Sequence, residues 1–280
     1  MAAALTGMLV SEKDIKTFQD DGVVVVRQVV SPEWVDKLRD AFDWAMNNPS
    51  PLSEEHVGEG EPGRFFDDQF LWKRNDSVKD FVFNGPLAKA AATVMSSEKV
   101  NVFYDHVLVK EPNTKRITPW HNDMSYWPIK GSQICSIWIA LDDVSKATSV
   151  KYVKGSHKQK LLHKVSSLGG DSRSSYGDGG GEPLPDIDAL HENGELELVN
   201  WDLKPGDVLI HHGFTIHGAP GNINSTTRRR GYVVRWLGDD MRFDPRPGTM
   251  YKAWTEKGGY HLGLAAGDTM NCDLFPSVNF

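Results

Sequence analysis

The chain has 280 residues, of which 39% are hydrophobic and 25% charged, and its formal net charge is −7. This composition is typical of a globular protein and excludes an intrinsically disordered one. The length suits one domain covering residues 1–280. Lysine and arginine cluster only at residues 228–230, so we expect no nucleic-acid partner. No apolar run approaches the roughly 18–20 residues of a membrane span, so we expect no membrane partner.

Two cysteines, Cys135 and Cys272, stand in no spacing typical of a metal site. So small a number excludes a disulfide framework, and a reducing compartment is the expected environment. The first ten residues lack the basic segment that opens a secretory signal. We therefore expect a cytoplasmic protein.

Local signals predict a largely helical N-terminal third. Ser11 and Asp14 form a capping-box pattern at a helix start. Ser31 followed by Pro32 marks a second start, because proline is favoured at the first helical position. The predicted helices cover residues 11–20, 31–48 and 87–95, and a valine-rich strand covers residues 23–30.

From about residue 100 the pattern changes to short β-prone runs separated by glycine, proline, asparagine and aspartate. Such runs after a helical region predict a mainly β fold with flanking helices, a β-sandwich or jelly roll, with its core at about 100–240. A stretch rich in glycine, serine and aspartate, about 164–195, is predicted to be a lid insertion. The predicted strands cover residues 101–109, 133–141, 150–153, 196–198, 207–211 and 231–237.

His121 and Asp123 form a His-x-Asp pair. Residues two apart on a strand point to the same face, so both side chains can reach one ion. With one histidine from a distant strand, they would form the ligand set of non-haem iron(II) oxygenases, which leaves coordination positions open. The pair alone is equally well explained as two surface residues, so the hypothesis depends on a third ligand.

Three downstream histidines are candidates for that ligand. His217 is favoured because it precedes a glycine-rich turn, which lets the backbone pass close to a ligand. His212 is the next candidate. His211 is interpreted as a structural histidine of a strand.

Arg228, Arg229 and Arg230 precede an apolar strand. A run of this kind normally lies in solvent. An arginine that points into a barrel needs a buried anion instead, and the distal carboxylate of 2-oxoglutarate matches its two-pronged geometry. The alternation of side chains lets the middle arginine face inward while its neighbours face outward.

The order of these motifs resembles the phytanoyl-CoA dioxygenase family of Fe(II)/2-oxoglutarate oxygenases, over most of the chain. Each motif is weak alone, and their shared order makes the resemblance strong. The matching segments are residues 18–26, 119–123, 138–142, 155–157, 205–207 and 217–219, followed by Asn222 and the arginine run.

The resemblance implies a double-stranded β-helix core of the jelly-roll, cupin-like type. It implies that His121, Asp123 and His217 bind Fe(II), and that 2-oxoglutarate and O2 are cosubstrates. Counting from His217 favours Arg228 as the residue that binds 2-oxoglutarate. Matching the step into the strand favours Arg229, which we prefer because it shares an inward phase with Gly231 and Val233.

Three further residues are assigned to the cosubstrate pocket by the same resemblance. Trp138 corresponds to a tryptophan that lines it, although a role in the core explains this residue equally well. Tyr104 and Lys110 are predicted to face the same pocket.

The activity implied is hydroxylation of an unactivated C–H bond in a small metabolite, with release of succinate and CO2. Desaturation or cyclisation with the same cofactors is an alternative, and so is a catalytically silent binding module on the same fold. A halogenase would carry a small residue where Asp123 stands, which argues against halogenation.

The sequence also bears on the substrate. Two positions depart from the family pattern on the substrate side of the pocket: residues 146–150 stand where relatives carry Asn-Gly, and Lys154 stands where they carry proline before the matching residues 155–157. This departure favours an unusual substrate. Aromatic residues with scattered arginine and lysine are expected to form the pocket walls, which suits a small molecule with an acidic group. The expected walls are the stretch around Trp72, Trp120, Tyr126 and Trp127, the lid at 164–195, and the segment 242–260.

Overall fold

The computed structural model describes residues 9–164, 181–223 and 226–280. The helices are α1 Glu12–Asp21, α2 Pro32–Asn47, α3 Asp76–Asn84, α4 Leu87–Met95, α5 Ile187–Glu192 and α6 Tyr251–Glu256. The strands are β1 Val23–Val26, β2 Glu54–Glu55, β3 Phe65–Gln69, β4 Val100–Lys110, β5 Thr118–His121, β6 Ile129–Lys130, β7 Ile134–Ala140, β8 Lys151–Val153, β9 Leu198–Val199, β10 Val208–His212, β11 His217–Ala219, β12 Arg229–Leu237, β13 Arg242–Phe243 and β14 Ser277–Val278.

The first two helices begin where the sequence signals place them. Ser11 caps α1, and the Asp14 carboxylate accepts a hydrogen bond from the Ser11 backbone N–H, which completes the capping box. Ser31 caps α2 with Pro32 in its first turn. The apolar faces of these helices lie against the large sheet, with the Phe42 ring edge-on to that of Tyr232.

Two antiparallel sheets form the core. The large sheet has the order β1-β10-β7-β12-β4-β3-β2, with β14 beside β4, and the small sheet has the order β5-β11-β8-β9. Strands β13 and β6 form a separate pair. This arrangement confirms the predicted jelly roll with flanking helices.

The two faces of the large sheet contact different parts of the molecule, because side chains alternate along each strand. On β12, Tyr232, Val234 and Trp236 join the apolar cluster beneath the helices. The intervening residues point to the other side, toward the small sheet, where a cavity forms. The β12 residues on the cavity side are Arg229, Gly231, Val233 and Arg235.

The N-terminal third contains the three predicted helices and differs from the prediction in its other elements. The strand over residues 23–30 ends at Val26, since Gln28 has a positive φ of 52°, which no regular strand accommodates. Strand β3 and helix α3 were not foreseen. Of the predicted lid, residues 165–180 lie outside the described part of the chain, and the described remainder contains α5.

Gly22 joins α1 to β1 in a left-handed conformation, with φ of 78°. A Cβ there would lie 2.3 Å from His157 Nδ1 and 2.6 Å from Thr215 Oγ1. Gly22→Ala therefore adds a clash to the backbone strain, and we expect it to lower the free energy of unfolding by about 2–4 kcal/mol. Urea denaturation measures this loss.

Gly194→Ala is the matched control. Gly194 has a similar φ of 75°, but nothing lies within 4 Å of its virtual Cβ. Only the backbone strain of about 1–2 kcal/mol is expected there. Equal losses at the two positions would show that the contacts of Gly22 contribute nothing.

Candidate metal and 2-oxoglutarate site

The cavity between the two sheets collects buried polar side chains within apolar walls. Strands of the large sheet contribute Trp138, His211 and Arg229, and the small sheet contributes His121 and His217. A concave, largely apolar space with a few convergent polar groups is the usual form of a small-molecule site.

Three of the candidate ligands meet in this cavity. His121 ends β5, His217 begins β11, and the two residues are register partners in the small sheet. Asp123 follows in a short 3-10 helix. Its Oδ1 lies 3.7 Å from His121 Nε2 and 4.0 Å from His217 Nε2. Atoms that bind one ion at about 2.0–2.2 Å lie at comparable distances from one another.

Backbone carbonyls orient both imidazoles. The Nδ1 of His121 lies 2.7 Å from the Pro119 carbonyl, and the Nδ1 of His217 lies 2.9 Å from the Thr215 carbonyl. Because a carbonyl only accepts hydrogen bonds, each Nδ1 carries the proton and each Nε2 presents a lone pair toward Asp123. Burial and the neighbouring histidines also hold the pKa of His217 well below its ordinary value. This neutral form is the one that binds a metal.

Asp123 is buried, and its carboxylate accepts hydrogen bonds from a tyrosine, a serine and a histidine side chain. The Tyr126 hydroxyl donates to Oδ1, and Ser136 Oγ donates to Oδ2 at 3.1 Å. His211 Nε2 lies 3.3 Å from Oδ2. Burial alone would raise the pKa of this carboxyl, but the neighbouring histidines, with His211 as a hydrogen-bond donor, hold it well below its ordinary value. The group is thus a fixed carboxylate.

The large sheet separates the two adjacent histidines of β10. His211 points into the cavity, between Asp123 and the Tyr152 hydroxyl at 3.4 Å. His212 points to the opposite face, where its Nε2 donates to the Ser132 carbonyl at 2.9 Å. Sequence reasoning ranked His212 above His211. Leu209 packs with Trp138 and Val233, which line the cavity. Because side chains two residues apart share a face, the same alternation points His211 into the cavity, and this was the available signal for the reverse order.

Arg229 lies at one end of the cavity and is 8% exposed. Its Nη1 donates to the backbone carbonyl of Thr148 and lies 3.4 Å from that of Pro220. Burial lowers the pKa of the guanidinium to about 10. No carboxylate of the described residues forms a salt bridge with it, so the structure provides a buried cation with space in front of it.

The two neighbouring arginines face elsewhere. Arg228 forms salt bridges with Asp43 and, at 2.8 Å, with Glu111. Arg230 forms a two-pronged salt bridge with Asp142 at 2.7–3.0 Å. The register of β12 therefore directs only Arg229 of the three into the cavity.

Lys110 places an amino group near the Arg229 guanidinium. It is buried, donates to Thr118 Oγ1 at 3.2 Å and to the Pro220 carbonyl at 3.1 Å, and lies over the Phe65 ring. Burial and the charge of Arg229 hold its pKa well below the ordinary value. Thr118 itself lines the cavity.

Trp138 lines the cavity, whereas Tyr104 lies behind it. A Cβ on Gly231 would lie 2.4 Å from the Trp138 ring, so the glycine makes room for the indole. The Tyr104 hydroxyl accepts a hydrogen bond from Trp127 at 2.8 Å, and its ring packs beneath the Arg235 guanidinium. The predicted contact of Tyr104 with a cosubstrate therefore stays a prediction.

The aromatic residues expected in the pocket walls are distributed differently. Tyr126 lines the cavity. Trp127 packs in an aromatic cluster with Trp254 and Phe103. Trp72 lies under the helices, and Trp120 hydrogen-bonds to Asp188 of α5 at 3.3 Å.

Comparison with known proteins agrees with this architecture. The family model of phytanoyl-CoA dioxygenase (PhyH) matches residues 18–231. A probable phytanoyl-CoA dioxygenase of Caenorhabditis elegans is 21% identical over 259 residues, covering 84% of this chain and 78% of the relative.

Two solved structures share the fold over nearly the full chain. The non-heme alpha-ketoglutarate-dependent carbocyclase SnoK from nogalamycin biosynthesis has a TM-score of 0.74 and 22% identity, covering 96% of this chain and 97% of its own. The epimerase SnoN, solved with Fe3+, alpha-ketoglutarate and nogalamycin RO, has a TM-score of 0.73 and 19% identity, covering 96% and 98%.

Fold and sequence together define an oxygenase-type jelly roll. The chain belongs to the phytanoyl-CoA dioxygenase family. Among the described residues, no helix is long and apolar enough to cross a membrane.

Proposed function

We propose that this chain is an Fe(II)- and 2-oxoglutarate-dependent dioxygenase that hydroxylates an unactivated C–H bond of a small metabolite. The observation that carries the proposal is a two-histidine, one-carboxylate cluster in the same cavity as a buried arginine. Family membership supports the same cofactors.

The residues present fit an iron ion. The ligand atoms of His121, Asp123 and His217 lie within 4.8 Å of one another. Both imidazoles present Nε2, and the carboxylate is charged, so each group is in its ligating form. Three protein ligands leave positions for a chelating cosubstrate and O2, as the two-histidine, one-carboxylate set does in non-haem iron oxygenases.

The residues at the other end fit the distal carboxylate of 2-oxoglutarate. Arg229 offers a planar fork in a buried space, and Lys110 and Thr118 lie beside it. A charge-assisted, two-pronged contact would compensate the desolvation of the guanidinium. Trp138 would form a flat apolar wall along the cosubstrate.

The protein supplies orientation and exclusion of water. Tyr126, Ser136 and His211 fix the Asp123 carboxylate, and backbone carbonyls fix both imidazoles. Such outer partners tune a metal and hold its ligands in place. Bound iron would supply the oxidising chemistry that couples 2-oxoglutarate decarboxylation to attack on a C–H bond.

Desaturation and cyclisation remain alternatives within the same chemistry, since a structural neighbour is a carbocyclase. A silent binding module is disfavoured, because a site without turnover has no need for a complete ligand set beside a buried arginine. We expect a small-molecule substrate with an acidic group.

The reaction can be identified with the purified protein, Fe(II), 2-oxoglutarate and O2, screened against a metabolite extract by mass spectrometry. We expect iron-dependent formation of succinate and a product that is heavier than the substrate by one oxygen atom. A product lighter by two hydrogen atoms would support desaturation or cyclisation instead. Absence of succinate under all conditions would favour the silent module.

Iron binding should depend on each member of the cluster. Loss of an outer partner of a metal site costs about 10–100-fold in affinity or activity, so loss of a direct ligand should weaken Fe(II) binding at least as much. We expect His121→Ala, Asp123→Ala and His217→Ala each to show this in anaerobic iron titrations and to abolish 2-oxoglutarate turnover.

His212→Ala is the matched control, because it removes a buried histidine on the opposite face of the sheet. Its folded fraction should bind iron as the unchanged protein does. If His217→Ala bound iron with unchanged affinity, the third ligand would be His211, which lies in the same cavity.

Binding of 2-oxoglutarate should depend on Arg229. Removing one member of a buried charge pair costs roughly 3–5 kcal/mol, which corresponds to about two to four decades in affinity. We expect Arg229→Ala to weaken 2-oxoglutarate binding by roughly a hundredfold or more. Calorimetric titration of the metal-loaded protein without O2 measures it.

Arg228→Ala and Arg230→Ala are the controls, since these side chains pair with acidic residues outside the cavity. Each should change 2-oxoglutarate affinity by less than about threefold, or about 0.7 kcal/mol, because neither side chain lines the cavity that would hold the cosubstrate. A large effect at Arg228 alone would show that Arg228, one residue earlier in the chain, binds 2-oxoglutarate. No effect at any of the three would remove 2-oxoglutarate from the proposal.

A further inference from the structure

The first part of the C-terminal segment 242–260 lies beside the loop that follows Asp123. The sequence predicted this segment in the pocket walls, but none of the described residues that line the cavity belongs to it. Residues 242–250 run beside residues 124–130 instead, and we call the latter the ligand loop. Strand β13 pairs with β6 at the end of this loop. Because the ligand loop directly follows the proposed metal ligand, contacts with the loop act on the position of that ligand.

Backbone hydrogen bonds hold the two segments together along their length. The Asp244 N–H donates to the Pro128 carbonyl at 2.9 Å. Further along, the Met250 N–H donates to the Tyr126 carbonyl at 2.9 Å. Arg246 lies in the chain between these two points, so its position relative to the ligand loop is fixed on both sides.

The Arg246 guanidinium donates hydrogen bonds to several carbonyls of the ligand loop. Its Nη2 donates to the Met124 carbonyl and lies 3.4 Å from the Ser125 carbonyl. Its Nη1 donates to the Ile129 carbonyl at 3.2 Å and to the Asp244 carboxylate at 3.0 Å. Met124 and Ser125 complete the 3-10 helix that begins at the proposed carboxylate ligand. The guanidinium therefore fixes the backbone directly behind that ligand.

The peptide groups on the two sides of Met124 have partners from different parts of the fold. The Met124 N–H donates to the Gly213 carbonyl at 3.1 Å, and Gly213 lies in the turn between β10 and β11. Strand β11 begins at His217, another proposed ligand. Met124 is buried, and a buried carbonyl that loses a donor costs free energy unless the backbone moves. Loss of Arg246 should therefore displace the loop that joins two of the metal ligands.

Two prolines stiffen the backbone that carries this arginine. Pro245 and Pro247 flank Arg246 and fix their own φ angles. The residue before a proline is also restricted to extended backbone, which here applies to Asp244 and to Arg246 itself. A side chain on a rigid backbone makes several contacts at a smaller entropic cost than one on a flexible loop.

We propose that Arg246 is a positioning residue for the metal cluster: its guanidinium fixes the ligand loop so that the Asp123 carboxylate meets the two ligand imidazoles. The inference rests on the proposed function and deepens it, because it names what holds one ligand in place from outside the cavity. Loss of an outer partner of a metal site lowers metal affinity by about 10–100-fold. A lysine would not replace the arginine fully, since only the planar guanidinium presents several donors at a fixed spacing.

Mn(II) is the probe, because it stands next to Fe(II) in the affinity order of divalent metals. Its electron paramagnetic resonance spectrum distinguishes free from bound ion and reports the symmetry of the bound ion's ligands. The full chain is freed of metal and titrated with Mn(II). We expect Arg246→Ala to raise the dissociation constant by about tenfold or more and to change the spectrum of the bound ion. Arg246→Lys should give a smaller rise and a spectrum closer to that of the unchanged protein.

Arg74→Ala is the matched control. The Arg74 side chain is 24% exposed, against 18% for Arg246, and it also donates to one aspartate and one carbonyl. These partners are Asp68 at 2.6 Å and the Asn48 carbonyl at 2.8 Å, both outside the ligand loop. Melting of the metal-free variants measures the structural loss at each position. Arg74→Ala should change the Mn(II) dissociation constant by less than about threefold, since separate sites act independently, and should leave the spectrum unchanged.

An unchanged Mn(II) dissociation constant in Arg246→Ala, or an equal loss of affinity in Arg74→Ala, overturns the inference. Should Arg246→Ala fail to fold, Arg246→Lys replaces it, with an expected rise of about threefold or more in the dissociation constant, and no rise overturns the inference. Mn(II) binding that depends on Arg246, without iron-dependent succinate, would remove the proposed activity and support this inference. Absence of Mn(II) binding by the unchanged protein would overturn both.

Discussion

Burying Asp123, Arg229 and Arg235 around one cavity costs free energy unless each charge meets hydrogen-bond partners or an opposite charge. The fold meets this requirement unequally. Asp123 receives hydrogen bonds from three side-chain types, whereas Arg229, among the described residues, hydrogen-bonds to backbone carbonyls alone. The incomplete compensation at Arg229 is the physical reason to expect an anionic ligand there.

The alternation of side chains across the large sheet separates this charged interior from the apolar core. On β12 and β10, alternate residues face the helices and form a continuous hydrophobic cluster. The residues between them face the cavity, so a shift of one residue in either strand would move arginine or histidine into the hydrophobic layer. The cost of that exchange fixes the register, and the register fixes which of the three arginines lies inside.

Much of this was predictable from sequence because the signals were local or strictly periodic. The capping box of α1, the Ser-Pro start of α2, and the strand around residues 133–141 depend on neighbours in the chain, and the structure has each within a residue or two. The prediction that Arg229 is the inward arginine followed from a period of two along one strand, and the geometry agrees.

The features that sequence reasoning missed depend on contacts between distant segments. Strand β3 contains two aspartates, and only its pairing with β4 shows why they are buried. The place of His211 beside Asp123 joins two segments 88 residues apart. No sequence pattern assigns Arg235 a contact, because its stacking on Tyr104 requires β4 and β12 to be neighbours.

The division of labour between ligand set and cavity walls explains how one fold can support different reactions. Structural neighbours of this chain include a carbocyclase and an epimerase, although all share the same jelly roll. A metal cluster alone therefore does not determine the product, and specificity has to come from the groups that position the substrate. In this chain the cavity walls around the ligand cluster include Tyr126, Trp138 and Tyr152. Rigid walls beside a reacting centre restrict which C–H bond can approach it, since small displacements in a reacting geometry cost orders of magnitude in rate. The shape of the cavity around Asp123 would then select the carbon that is oxidised.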